Sequence, residues 1–373
     1  MKKRHPAILI AGAPARYPDL RYATGFFSFD PVIFLIAKNQ RHLAVSPLDF
    51  AHVKRTVRNT RVVSLADLPV QKNSKTPAAD RTAALLKKAG IKAVTIPPYF
   101  PVGLANRLSN RGIITTVAED GVLPEREIKT TREIGDISIA QQAAIKAMDQ
   151  AVGLIAGAKI GRNGILKTGG RPLTSEAVRN AINACARDRN CICYGTIVAC
   201  GAQAANPHET GFGPLKAGQT IVIDIFPQHI ESGYWGDITR TVCRGTPPAN
   251  IQKMYEAVCD AQRTAVAKIK AGVIAETVHN AVVELFKQRG FVTGKKHGRP
   301  SGFIHSTGHG IGLEIHEQPS VGPNKTRLEA GNVVTVEPGL YYPGQAGIRT
   351  EDIVLVTKTG CRKIGNAKYP FVL

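Results

Sequence analysis

The chain has 373 residues, 43% of them hydrophobic and 6% aromatic, with 49 Lys and Arg against 28 Asp and Glu, a net charge of +21. That length and apolar content suffice for two domains with sizeable cores, and no apolar run approaches the roughly 20 residues of a membrane-spanning helix. The positive charge is dispersed, +12 of it in residues 1–130 (21 basic against 9 acidic residues); with few aromatics and no nucleic-acid module, it reads as a solvated basic surface and argues against a nucleic-acid partner.

The start, Met1-Lys-Lys-Arg-His-Pro6 followed by Ala-Ile-Leu-Ile-Ala-Gly-Ala-Pro-Ala15, mimics a signal peptide. Its apolar part is short and follows a proline, so Ile8–Ala11 is predicted as a first strand instead. Residues 1–126 alternate predicted strands at Ile8–Ala11, Val32–Ala37, His42–Ser46, Arg61–Leu65, Ala93–Pro97 and Ile113–Val117 with helices near 48–58, 78–89 and 103–111, the pattern of an α/β domain. A linker near Gly121–Glu127 leads into a long helix ending about Ala156. Gly161–Pro172 reads as an exposed connection, closed by Thr174 or Ser175 as a helix cap. Seven cysteines lie between Cys185 and Cys361 without a Cys-x-x-Cys pair, which predicts reduced thiols, no structural zinc and a cytoplasmic protein.

Four carboxylates carry the chemistry. Asp224 interrupts the apolar run Ile221–Phe226, and Glu337 interrupts Val333–Pro338. Asp237 and Glu351 open the returning strands 237–242 and 351–356, behind turns at Glu231-Ser232-Gly233 and Pro343–Gly347. The spacings within the two pairs are 13 and 14 residues. Two facing hairpins of this form would gather four carboxylates around one point, where repulsion raises their pKa values unless divalent cations hold them ionised. An oxygen-rich set with one imidazole suits two ions of Mn²⁺, Co²⁺ or Zn²⁺. The competing reading pairs these carboxylates with Arg240 and Arg349.

The imidazole comes from His305-Ser-Thr-Gly-His309-Gly-Ile-Gly-Leu-Glu-Ile-His316, where glycines 308, 310 and 312 allow close backbone approach. His208 lies in the polar loop Asn206-Pro-His-Glu-Thr210. His229 and His297 have no motif around them and read as solvated, Arg240 as a partner to surface acid, and Trp235 as a hydrophobic anchor near the pocket.

Gly236-Asp-Ile-Thr-Arg-Thr241, the His305–Leu313 run, Thr335-Val-Glu-Pro-Gly-Leu-Tyr341 and Ile348-Arg-Thr-Glu-Asp352 together resemble the motifs of the pita-bread metallopeptidases over about residues 127–373. Asp19–Phe26 is similar, more weakly, to the opening of the N-terminal domain of prolidase, aminopeptidase P and creatinase. The resemblance implies an α/β N-terminal domain (1–126) followed by an α+β pita-bread catalytic domain (127–373) with pseudo-two-fold halves. It further implies a dinuclear metal centre, Mn²⁺ foremost, with Asp224 and Asp237 on one ion, His309 and Glu337 on the other, and Asp237 and Glu351 bridging. Glu337 resembles the residue that takes a proton from the attacking water. His208 and His316 resemble the histidines that serve the tetrahedral intermediate or leaving amine. His305 and Arg349 are expected near the substrate, with glycines 308 and 310 admitting a prolyl ring. One departure is Phe226, where many members have glycine two residues after the first metal aspartate; its bulk is expected to alter packing or narrow the site. The implied activity is hydrolysis of an Xaa-Pro bond in a peptide substrate by a cytoplasmic homodimer. A methionine-aminopeptidase-like enzyme, a creatinase-like hydrolase and a non-catalytic binding protein are the alternatives.

Overall fold

The computed structural model describes residues 6–296 and 298–373; the basic first five residues and His297, expected to be solvated, lie outside them. The chain divides into two compact units, Met1–Arg126 and Glu127–Leu373.

The first unit contains strands β1 (Ala7–Gly12), β2 (Val32–Ala37), β3 (Gln40–Val45), β4 (Arg61–Ser64), β5 (Ala93–Ile96) and β6 (Ile114–Val117). They form one mixed sheet in the order β4-β3-β2-β1-β5-β6. Its helices are α1 (Pro18–Thr24), α2 (Pro47–Thr56), α3 (Pro77–Ala89) and α4 (Val102–Ser109). Strand alternation sends Leu9, Ile33, Leu35 and Ala44 to a core with Leu85, Leu86 and Leu108 of α3 and α4. The intervening Ile10, Phe34, Leu43 and Val45 meet Leu20 and Val53 of α1 and α2. Each face of the sheet is therefore covered by its own helix pair. Helix α1 follows no strong periodicity in sequence; Pro18 starts it and Gly25, at φ 64°, ends it.

The second unit opens with α5 (Thr131–Ala156), where a capping box stabilises the first turn: Glu133 N donates to Thr130 Oγ1 at 3.3 Å, and Thr130 N donates to Glu133 Oε2 at 2.8 Å. The stretch expected to be an exposed connection is instead a small sheet of β7 (Lys159–Ile160), β8 (Leu166–Thr168) and β9 (Arg171–Pro172). Gly169 and Gly170, at φ 58° and 78°, make the tight turn that lets β8 and β9 pair. Helix α6 (Ser175–Arg187) starts at Thr174, whose Oγ1 accepts from Ala177 N at 3.2 Å.

The first half of this unit then runs through β10 (Cys191–Cys193), β11 (Ile197–Cys200), β12 (Ile221–Ile225), β13 (Pro227–His229) and β14 (Ile238–Val242). Strand β12 lies between β11 and β14, antiparallel to both. Met148 and Ile155 of α5 and Ile182 of α6 bury Ile223, Ile238 and Val242. The second half repeats this plan. Helices α7 (Ala249–Lys268) and α8 (Ala275–Gln288) precede the hairpin of β15 (Gly294–Lys296) and β16 (Arg299–Ser301). They back a sheet formed by β17 (Gly308–Gly310), β18 (Glu317–Val321), β19 (Val333–Val336), β22 (Asp352–Val356) and β23 (Cys361–Lys363), while β20 (Gly339–Tyr342) and β21 (Ala346–Arg349) form a hairpin between β19 and β22. Val258, Val282 and Phe286 cover Val334, Val336 and Val354. The two halves join at the ends of their carboxylate strands, where Glu351 N donates to Thr239 O at 3.0 Å and Arg349 N to Thr241 Oγ1 at 3.0 Å.

Candidate active site

A cavity of about 770 Å³ opens where the halves join, and all nine residues singled out from sequence line it: His208, Asp224, Asp237, His305, His309, His316, Glu337, Arg349 and Glu351. The strand registers explain the gathering. Asp224 sits opposite Thr239 on β14, with Asp237 just ahead of that strand. Val336 pairs with Asp352, so Glu337 and Glu351 leave their strands side by side. The junction between Thr239 and Glu351 then brings one carboxylate pair against the other.

The centre is tight. Ligand atoms of Asp237, His309 and Glu351 lie within 4.8 Å of one another. His309 Nε2 stands 3.4 Å from Glu337 Oε1 and 3.8 Å from Asp237 Oδ2. His309 Nδ1 faces the Gly310 carbonyl at 3.1 Å and so carries the proton, which leaves the Nε2 lone pair directed at the carboxylates. Asp224 stands at the edge of the group, its Oδ2 held at 2.5 Å by Arg349 Nη2.

Burial, reinforced by the charges of Glu351, Asp224 and Glu337, holds the Asp237 carboxyl well above the usual carboxylate range. Burial and Glu351 do the same to Glu337. Glu351 is pushed up to about 7 by burial and Asp224, against the opposing pull of Arg349. Burial and His316 push His309 down to about 3. For these carboxylates to stand ionised together beside an imidazole that resists protonation, a further cation must compensate their charge. Asp224 Oδ1, Asp237 Oδ1 and Glu351 Oε1 are buried yet make no hydrogen bond among the described residues. Orphaned carboxylate oxygens grouped with an imidazole lone pair fit the donor set of divalent Mn, Co or Zn.

Several expectations change in detail. Arg349, which the competing reading pairs with the carboxylates, does not turn to Glu351, two residues along the chain; its side chain crosses to Asp224 in the other half, while Glu351 is held by Thr239 Oγ1 at 2.7 Å. Arg240 is no surface partner: it is buried and donates to the Glu351 carbonyl at 2.5 Å and Asp352 Oδ1 at 2.6 Å, fixing the backbone behind the site. His229 is buried rather than solvated, its Nδ1 2.9 Å from Ser232 Oγ in the first turn. Trp235 lies off the cavity lining and donates through Nε1 to the Leu313 carbonyl at 3.1 Å. Strand packing itself requires glycines 308 and 310, since a Cβ on Gly308 would lie 1.9 Å from Thr335 O and one on Gly310 2.4 Å from Gln318 O, and Gly308 also lines the cavity.

His305 lines the cavity with both nitrogens engaged. Nδ1 donates to Ser306 O at 2.8 Å, and Nε2 accepts from the Tyr341 hydroxyl at 3.0 Å. That hydroxyl in turn accepts from Arg349 Nη1 at 2.8 Å. Only the ring face of His305 is left for a ligand. His208 and His316 are exposed at the wall, with the His316 ring edge-on to His309 at 4.3 Å. Sequence reasoning missed the apolar wall of Ile197, Pro207, Ile304 and Ile315, residues that carry no motif signal. Phe226, the one departure noted in sequence, lies in the cavity wall with its ring against Gly195.

The model of metallopeptidase family M24 matches residues 136–358. An Xaa-Pro dipeptidase from Pyrococcus horikoshii is 30% identical over 364 residues, covering 96% of this chain and 92% of the relative. An Xaa-Pro dipeptidase structure from Bacillus anthracis superimposes with a TM-score of 0.81 at 26% identity, over 99% of this chain and 95% of the other. An X-Pro aminopeptidase structure from Thermotoga maritima gives 0.80 at 25% identity, over 99% and 97%. The fold is therefore the expected pita-bread architecture behind an α/β unit. With a match over more than half its length and a relative aligned almost end to end, the chain belongs to metallopeptidase family M24 and is a metal-dependent peptidase.

Proposed function

We propose that the protein is a dinuclear-metal exopeptidase that cleaves the bond between an N-terminal residue and a following proline, in dipeptides or at the start of longer peptides. The observation that carries this reading is the clustering of Asp237, His309 and Glu351, beside Asp224 and Glu337 in one cavity, with an orphaned oxygen on each of Asp224, Asp237 and Glu351. In this assignment Asp224, Asp237, His309, Glu337 and Glu351 would hold the ions. With Asp224 Oδ2 taken by Arg349, Oδ1 is the atom that this residue would offer to an ion. The ions, when bound, supply Lewis-acid polarisation of the scissile carbonyl and acidify the attacking water.

The chain's own residues do the rest. Glu337, beside His309 and within reach of Thr335 Oγ1 at 3.4 Å, takes the proton of the attacking water and passes it to the leaving nitrogen. His208 and His316, exposed at the wall, donate to the oxygen that gains charge in the tetrahedral intermediate. A prolyl residue after the scissile bond offers a compact apolar ring and no N–H. Ile197, Ile304, Ile315, Phe226 and the His305 face supply an apolar wall for such a ring. Similarity to Xaa-Pro dipeptidases of Pyrococcus and Bacillus and to an X-Pro aminopeptidase of Thermotoga supports the same specificity. Seven cysteines, all left as free thiols, favour a reducing, cytoplasmic setting, and a homodimer is the assembly implied by resemblance to two-domain relatives.

The test is hydrolysis of matched substrates by chelated protein reloaded with Mn²⁺, Co²⁺ or Zn²⁺. Ala-Pro, or its longer forms, is expected to exceed Ala-Ala by at least about tenfold in kcat/KM, roughly 1.4 kcal/mol. Preference for Met-Ala peptides would move the protein to methionine-aminopeptidase chemistry, and no hydrolysis with any of the three metals would overturn the assignment.

A further inference from the structure

A second, smaller cavity of about 190 Å³ lies wholly within the first unit, at the sheet edge under the end of α3. Ala37, Lys38, Gln40, His42, Arg61, Val63, Leu85, Lys88 and Ala89 line it, and no carboxylate is among them. The register explains the cluster. His42 pairs with Arg61 across β3 and β4, so the two side chains share one face of the sheet, and Gln40 stands two residues before His42 on that face. Lys38 and Asn39, at φ 50° and 62°, form the tight β2–β3 turn. A lysine in the left-handed region is unfavourable by itself, and here it delivers Nζ to the Ala89 carbonyl at 3.0 Å, at the rim.

His42 is the informative member. It is only 8% exposed, and its ring makes no hydrogen bond to any described residue. Its ring nitrogens are not sealed off from solvent, so the polar edge of the ring opens into the cavity that it lines. Arg61 and Lys88 have no carboxylate partner among the described residues either, and Lys38 is spent on a carbonyl. The negative end of α3 offsets part of this charge. Among the described residues its carbonyls accept from Lys38 and not from the side chains of His42, Arg61 or Lys88. Three cationic side chains and an unpartnered imidazole around one concavity define an electropositive hole of set chemistry, and its volume is below the roughly 300 Å³ at which drug-sized pockets begin.

We propose that this cavity is an anion site that takes a phosphate group, free or on a small monoester, with Arg61 and Lys88 pairing its charge and His42 and Gln40 donating to its oxygens. A phosphate has the acceptor count to satisfy all four at once and the size to fit. Burial first, then Arg61 and Lys88, keeps the His42 imidazole below its ordinary pKa, and an anion between them reverses that electrostatic bias.

The experiment uses the full chain, with the metal chelated to spare the other site. Histidine ring resonances are followed by NMR while inorganic phosphate or glycerol phosphate is added at constant ionic strength, with chloride as control. A saturable shift of the His42 resonances is expected, weakened at least about tenfold in Arg61→Gln and in Lys88→Gln, both exposed positions that tolerate polar substitution. Tighter binding of the ester identifies the monoester as the ligand, and equal binding identifies phosphate alone. A His42 signal that moves no more with phosphate than with chloride, or equal affinity in wild type and both variants, would overturn the proposal.

Discussion

Glu351 shows how a single side chain couples fold and chemistry. Its carboxyl is raised to about 7 by burial and by Asp224, against an ordinary value of 4.5. A carboxyl raised in the folded state favours folding fully below its ordinary pKa and loses that contribution as pH climbs through about 7. In chelated protein, Glu351→Gln should therefore raise Tm at about pH 8, with the gain vanishing near pH 4, because glutamine copies the protonated acid. The same variant should lose metal and turnover. Identical melting of wild type and variant across that range would contradict the repulsion inferred for the site. The exposed histidines predict a different signature. His208→Ala and His316→Ala should keep full metal content by elemental analysis and lose on the order of 10² in kcat, and unchanged kcat in both would leave them no part in the reaction. Asp224 and Glu337 were legible in sequence because each breaks an apolar run, an energetic anomaly visible without a fold, and Asp237 and Glu351 because each opens the returning strand of the same hairpin. The partner of Arg349 was not. Arg349 reaches Asp224, 125 positions away, and no local pattern carries that information. The burial of His229 and Arg240 escaped for the same reason, since both are satisfied by groups that arrive through tertiary folding.

Strands rather than individual ligands hold the metal-binding geometry in register, and β17 is the most constrained of them. It carries His309 between β18 and β19, so close to Thr335 that only glycine fits at position 308. Gly308→Ala should force the strands apart, cost about 1–3 kcal/mol and lower Tm by several degrees, with metal affinity falling as His309 shifts. Gly135, exposed in α5 with nothing within 4 Å of the point where an alanine methyl would sit, makes the opposite case. Gly135→Ala should stabilise by about 0.5–1 kcal/mol, because helix propensity is then the only term that changes. Thermal unfolding of both variants checks the pair; a neutral Gly308→Ala would mean that β17 can move. Element by element, the strands of the first unit and the long helix α5 were legible from alternation and capping, because their signals are local. Helix α1 and the β7–β9 sheet were not. The first is a single short turn-rich segment, and the second exists only because Gly169 and Gly170 permit a turn whose pairing partners are two and three residues long.

At the scale of the whole chain, every residue of the metal-binding group lies in Glu127–Leu373, while Met1–Arg126 has its own sheet and its own two-sided core. A ligand that binds only the folded form of one unit stabilises that unit by RT ln(1 + [L]/Kd), about 2.7 kcal/mol at a hundredfold excess over Kd. For a unit of this size each kcal/mol is worth about 2–4 °C, so Mn²⁺ at that excess should raise one transition by roughly 5–11 °C and leave the other in place. The sole tryptophan makes the assignment direct. Trp235 lies two residues before Asp237, with its indole bonded to Leu313 in the same unit, so its fluorescence follows only the second unit. Calorimetry reports both units and fluorescence one, a combination that does not assume a single two-state transition. The expected outcome is a metal-dependent fluorescence midpoint that coincides with one calorimetric peak, beside a second peak that Mn²⁺ does not move. Such a result would place the metal's contribution to stability in the joined halves alone. If both peaks rise together, or a single peak carries the whole enthalpy, the two units unfold as one cooperative body, and the N-terminal unit shares the stabilisation that its sequence does not ligate.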